Sequence, residues 1–133
     1  MKRRWFGVMG GGLLLGVGVL TAAFGGAFWL DPAFAVQGAL LVVGGVAFLV
    51  AGVGGSALGL DPVRLVGVGD VCLAGMVIAN AAVTVRSGTG TTDLVVAVAL
   101  GGSGLFLAYV GVDYLRGGAR FAPDGLEDGP IFG

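Results

Sequence analysis

The sequence predicts an all-α integral membrane protein: a four-helix bundle of transmembrane spans with antiparallel neighbours and both termini in the cytoplasm. Three observations carry this expectation. The 133-residue chain is 56% hydrophobic and only 11% charged, with a mean hydropathy of +1.01, whereas a soluble domain carries about 25% charged residues to meet water. Its apolar residues fall in four continuous runs of about 20 residues or more, the length that crosses roughly 30 Å of hydrocarbon. Its basic residues are divided unevenly between the two ends of those runs.

The first run is Trp5–Leu30, opened by Lys2-Arg3-Arg4 and closed by Asp31-Pro32. Trp5, Phe6, Phe28 and Trp29 bracket it and suit the aromatic belts of the two interfaces. A secretory signal ending at Ala33-Phe34-Ala35 is the competing reading. Signal cores run about 7–15 residues, and the length of this run favours a retained span. The second run extends from Phe34 to about Leu58, the third covers Val63–Val85 and the fourth Leu94–Leu115. Strands of a barrel are a poor alternative, because the runs are continuously apolar rather than alternating and longer than barrel strands of about 10 residues.

The breaks carry helix-start chemistry. Asp31-Pro32 and Asp61-Pro62 each place a capping acceptor before a proline at the first helical position. Asp93 is expected to cap the fourth span in the same way. The recurrence of Leu-Asp-Pro at 30–32 and 60–62 reflects this shared capping chemistry. Short connections make consecutive helices antiparallel neighbours. An N-terminus inside puts Lys2, Arg3, Arg4, Arg64, Arg116 and Arg120 in the cytoplasm and leaves Arg86 alone outside, the bias expected of a cell-membrane protein. Residues 1–120 form the membrane domain. The tail from Phe121 to Gly133, acidic and rich in glycine and proline, is expected to be disordered, with Ile131 and Phe132 as a docking peptide in the sharper reading.

Glycine occurs 29 times, about three times its ordinary usage, with no collagen period. Small residues four apart share a helix face and let backbones approach closely in lipid. Such pairs are Gly7/Gly11 and Gly12/Gly16 in the first span, Gly55/Gly59 at the end of the second, Gly75/Ala79 in the third, and Ala97/Gly101 and Gly104/Ala108 in the fourth. Gly10-Gly11-Gly12 lacks the lysine and the preceding strand of a phosphate loop.

Polar residues inside the spans are the candidate sites. Asp70 lies about two turns into the third span, and Asp113 lies near the end of the fourth, so both fall in the cytoplasmic half. A carboxylate at such depth faces protein or water. The functional reading is an ion or proton site with Asp70 central and Asp113 and Tyr109 lining it. The structural alternative is a salt-bridge cluster neutralised by Arg64 and Arg116. Asn80 and Gln37 are expected to hydrogen-bond between helices. Thr21 and Ser103 can bond their own helix backbone, and Cys72 suits a small buried position.

Histidine is absent and Cys72 is the only cysteine, which excludes an internal disulfide, histidine haem ligation and zinc sites of the Cys/His type. No cofactor and no metal site is expected. The net charge of −1 offers no basic footprint for nucleic acid. The single lysine, the excess of Asp over Glu, the Val/Ala/Gly-rich spans and the acidic tail resemble the uncharacterised small multi-pass membrane proteins of salt-loving archaea. That resemblance is one of style and implies a habitat. Small multidrug transporters carry an essential glutamate in their first span, and this chain has no acid between Trp5 and Leu30. The phenylalanine-threonine signature of fluoride channels has no counterpart in Val63–Val85.

The expected function is non-enzymatic: a membrane subunit or assembly partner that packs against other membrane helices, as a homo-oligomer or in a larger complex. The alternative is a small proton- or cation-coupled transporter or channel using Asp70. An enzyme is the poorest fit, because no nucleophile–base pair or cofactor motif is visible.

Overall fold

The computed structural model describes residues 3–54, 59–88 and 90–117. Lys2, Gly55, Arg120 and the tail with Ile131 and Phe132 lie outside the described residues. The chain forms helices α1 (Arg3–Phe24), α2 (Ala27–Leu30), α3 (Pro32–Val53), α4 (Pro62–Ser87) and α5 (Thr91–Leu115). Of these, α1, α3, α4 and α5 are each long and apolar enough to cross a membrane.

The helix starts follow local chemistry. The Asp31 carboxylate accepts a hydrogen bond from the Ala33 amide at 2.9 Å, and Asp61 accepts one from Val63 at 3.0 Å. Each satisfies an amide that the first turn leaves without an intrahelical partner. The fourth long helix departs from expectation. It begins at Thr91 with Gly90 at the cap position, and Asp93 lies within the first turn, where its charge complements the helix dipole rather than capping an amide.

The first apolar run is not one helix. Gly25 adopts φ +61°, the left-handed conformation that commonly ends a helix. The chain then makes the single turn α2, which folds back on α1. The Trp29 indole N–H donates to Thr21 Oγ1 at 3.0 Å, and the Thr21 hydroxyl donates to the Val17 carbonyl at 2.9 Å. Phe28 meets Trp29 edge-on at 5.2 Å and stacks on Phe34 of α3 at 5.8 Å. Gly38 of α3 makes room for these rings: a Cβ there would stand 2.7 Å from Trp29 and 2.9 Å from Phe28.

Three glycine-lined crossings build the rest. Where α1 meets α3, a Cβ at Gly10 would strike the Leu49 amide and the Gly45 carbonyl, and Gly7 lies against Gly52. Where α3 meets α4, Gly44 approaches Cys72 and Gly69, and Gly69 accepts the face of Phe48. Where α4 meets α5, Gly67 meets the Leu115 amide and the Gly111 carbonyl, and Gly104 meets Ile78 and Ala74. At each crossing the residue numbers rise on one helix as they fall on the other, so chain neighbours are antiparallel.

The expected four-helix bundle is met in helix number and order but not in closure. Among the described residues, the substantial contacts between long helices are α1 on α3, α3 on α4 and α4 on α5. The helices therefore form an open row, with 28% of the most apolar stretch buried in α3 and in α4, against 22% in α1 and 17% in α5. Lipid tails are as apolar as leucine, so no hydrophobic drive closes the row. At the end where α1 begins and α5 finishes, here the terminal end, Phe6, Phe48, Ala51 and Val66 form a buried cluster joined by Leu13, Leu65, Leu73 and Tyr114.

Candidate functional site

The α4 helix divides its faces between two neighbours. Gly69, Cys72 and Gly75 meet α3, while Gly67, Val71, Ala74 and Ile78 meet α5. Asp70 falls at the edge of the α5 face and is half-buried. The reason is Gly111: without a side chain, α5 comes so close that a Cβ there would stand 3.1 Å from the Asp70 Cβ and 2.8 Å from Val71. Tyr114, one turn past Gly111, shares the Gly111 face of α5 and packs against the cluster that contains Val66, one turn before Asp70.

The other expected site residues are placed differently. Tyr109 and Asp113 are four residues apart and share a face of α5, but each is offset by two residues, about 200° of rotation, from Gly111. Tyr109 is exposed, and both residues have interactions of their own. The tyrosine on the Asp70 side of α5 is therefore Tyr114. Sequence reasoning missed it because Tyr114 sits at the end of its span; its three-residue spacing from Gly111 was the available signal.

Neither expected arginine reaches Asp70. Arg64 Nε lies 3.6 Å from Asp61 Oδ2, with both side chains largely in the open, so it balances the capping aspartate. Arg116 is exposed at the end of α5, where its amide donates to the Val112 and Asp113 carbonyls and its charge complements the helix dipole. Among the described residues no cation pairs with Asp70.

The Asn80–Gln37 hydrogen bond does not form among the described residues. The register set by Gly44 against Cys72 and Leu40 against Gly75 brings Gln37 level with about Ala79. Asn80 is one residue beyond, rotated about 100° to an exposed face. The expected depth is met and the expected face is not. Gly12 and Gly16, expected to pack, have no atom within 4 Å of a would-be Cβ, as do Gly11, Gly18, Gly101 and Gly102. Gly75 and Gly104 do pack, against Leu40 and against Ile78; Ala79 and Ala108 are half-buried beside them. Cys72 is buried against Gly44. Among the described residues no three His, Cys, Asp or Glu side chains gather as a metal site.

No curated protein and no solved structure matches the chain. A family model does, over residues 1–127, which takes in all four long helices and Asp70. The chain thus belongs to DUF7994, a family of unknown function.

Proposed function

We propose that this protein is a non-enzymatic subunit or assembly partner of the cell membrane, with both termini in the cytoplasm, that binds other membrane helices through a glycine face of α1. One observation carries the reading. Among the described residues glycines line every crossing between long helices, yet Gly12 and Gly16, four apart on one face of a helix at the edge of the open row, meet nothing. Glycine weakens a helix by about 1 kcal/mol per residue relative to alanine, and close approach of another helix is what such a face offers in return.

The test is Gly12→Leu and Gly16→Leu in the full chain. Extracted from its own membranes in mild detergent, the wild type should run on native gels as part of a larger assembly. Both variants should run as the lone chain with unchanged helix content, because neither position touches the rest of the fold. An assembly of unchanged size in both variants overturns the reading.

Orientation has its own test. With Cys72 replaced, a cysteine at Ser87 should react with an impermeant reagent in intact cells, and one at Pro123 should not. The reverse pattern inverts the topology.

A second reading, a proton- or cation-coupled transporter or channel, is favoured by the half-buried Asp70 with no cation beside it among the described residues. Flux in sealed liposomes that Asp70→Asn abolishes without changing the melting temperature would replace the subunit reading with this one.

A further inference from the structure

Asp70 lies well inside the span. The 26 residues of α4 extend about 39 Å at 1.5 Å per residue, some 9 Å more than roughly 30 Å of hydrocarbon. Asp70 is eight residues past Pro62, about 12 Å along the axis. In a helix centred on the bilayer that places it about 7 Å below the hydrocarbon boundary. A carboxylate there needs a protein or water partner.

The face that carries it has a pattern. Val66, Asp70, Leu73, Val77 and Asn80 follow one another at spacings of four, three, four and three, the stripe along which a second helix packs. Val66 is covered by the cluster at the terminal end, which both Phe6 of α1 and Tyr114 of α5 join. Leu73 packs against the same cluster, while Asp70 and Val77 are half-buried and Asn80 is exposed. Asp70 and Asn80 thus lie on one stripe, and among the described residues neither side chain makes a hydrogen bond or an ion pair.

We propose that this stripe receives a transmembrane helix of a different protein, one that carries an arginine or lysine level with Asp70. Charge complementarity selects the cation. The placement of this chain's own cations excludes a second copy as its source: Lys2, Arg3, Arg4, Arg64, Arg86, Arg116 and Arg120 all lie in or beyond the terminal turns of the spans, where long basic side chains extend outward to water. The inference rests on the subunit reading and specifies the chemistry of the partner.

The test uses the full chain in lipid vesicles with a synthetic polyleucine transmembrane peptide bearing one arginine at the depth of Asp70, and its all-leucine twin. Energy transfer between labelled chain and labelled peptide reports association. The arginine peptide should bind the wild type about tenfold more tightly than its twin. Asp70→Asn should reduce it to the level of the twin, and Asp70→Glu should retain most of the preference. Equal or absent binding of the two peptides to the wild type overturns the proposal, and so does a preference that survives Asp70→Asn. The peptide pair compares ligands on unaltered protein, so impaired folding of a variant cannot mimic the result. Failure here leaves the glycine-face test untouched, because that test reads the native assembly and does not involve Asp70.

Discussion

The two ends of the row are held together in different ways. At the terminal end Phe48 of α3 is fully buried, stacked on Phe6 of α1 at 5.9 Å and seated on Gly69 of α4, and Tyr114 of α5 joins the same cluster. All four long helices contribute there. At the far end Phe28, Trp29, Phe34 and the Trp29–Thr21 hydrogen bond tie α2 to α1 and α3 only, while Leu94, Val95 and Val98 of α5 are exposed. In lipid an apolar side chain gains little from burial alone, so helices hold where shapes interlock. The terminal end interlocks across the whole row, whereas the far end is held by α2 on one side and by the buried Ala81 of α4 and Ala97 of α5 on the other.

Substitutions should therefore cost most at the terminal end. Gly67→Leu is the most severe, because its side chain would enter backbone at 2.7 Å from the Leu115 amide and 2.8 Å from the Gly111 carbonyl, and backbone cannot step aside. A loss above about 3 kcal/mol is expected, read by denaturant titration in mixed micelles. A loss under about 1 kcal/mol would show that α5 does not depend on this crossing.

Phe48→Ala comes next. Soluble cores lose about 3–5 kcal/mol on Phe→Ala, and here the loss should sit at or below the lower bound, because lipid supplies no transfer penalty and only packing is lost. Proteolysis or amide exchange should show α1 and α4 loosening together. Loosening confined to α3 would break the comparison.

Trp29→Phe keeps an aromatic ring over Gly38 but removes the donor to Thr21. Interhelical hydrogen bonds in membranes average about 0.6 kcal/mol, and exchange protection should fall only in α2 and the adjoining turns. Gly12→Leu should change the stability of the isolated chain least, since that position meets open space; its effect belongs to assembly.

Much of the architecture was legible in the residues. The caps at Asp31 and Asp61 were readable because capping is a matter of three consecutive residues. The break at Gly25-Gly26 was legible in principle, since glycine is the usual residue after a helix end, but a continuous apolar run obscured it. The Thr21–Trp29 bond was not legible, because it depends on how α2 folds back.

What the sequence by itself determined is the four long helices, the starts of two of them at Pro32 and Pro62, and the alternation of their direction, all consequences of local chemistry and span length. Only the tertiary structure decided that Gly10 and Gly45 pack while Gly12 and Gly16 do not, that the row stays open, and that Tyr114 rather than Tyr109 accompanies Asp70. A helix that is apolar all round has no preferred face. Its rotation about its own axis is settled only when neighbouring backbones find the glycines that let them touch.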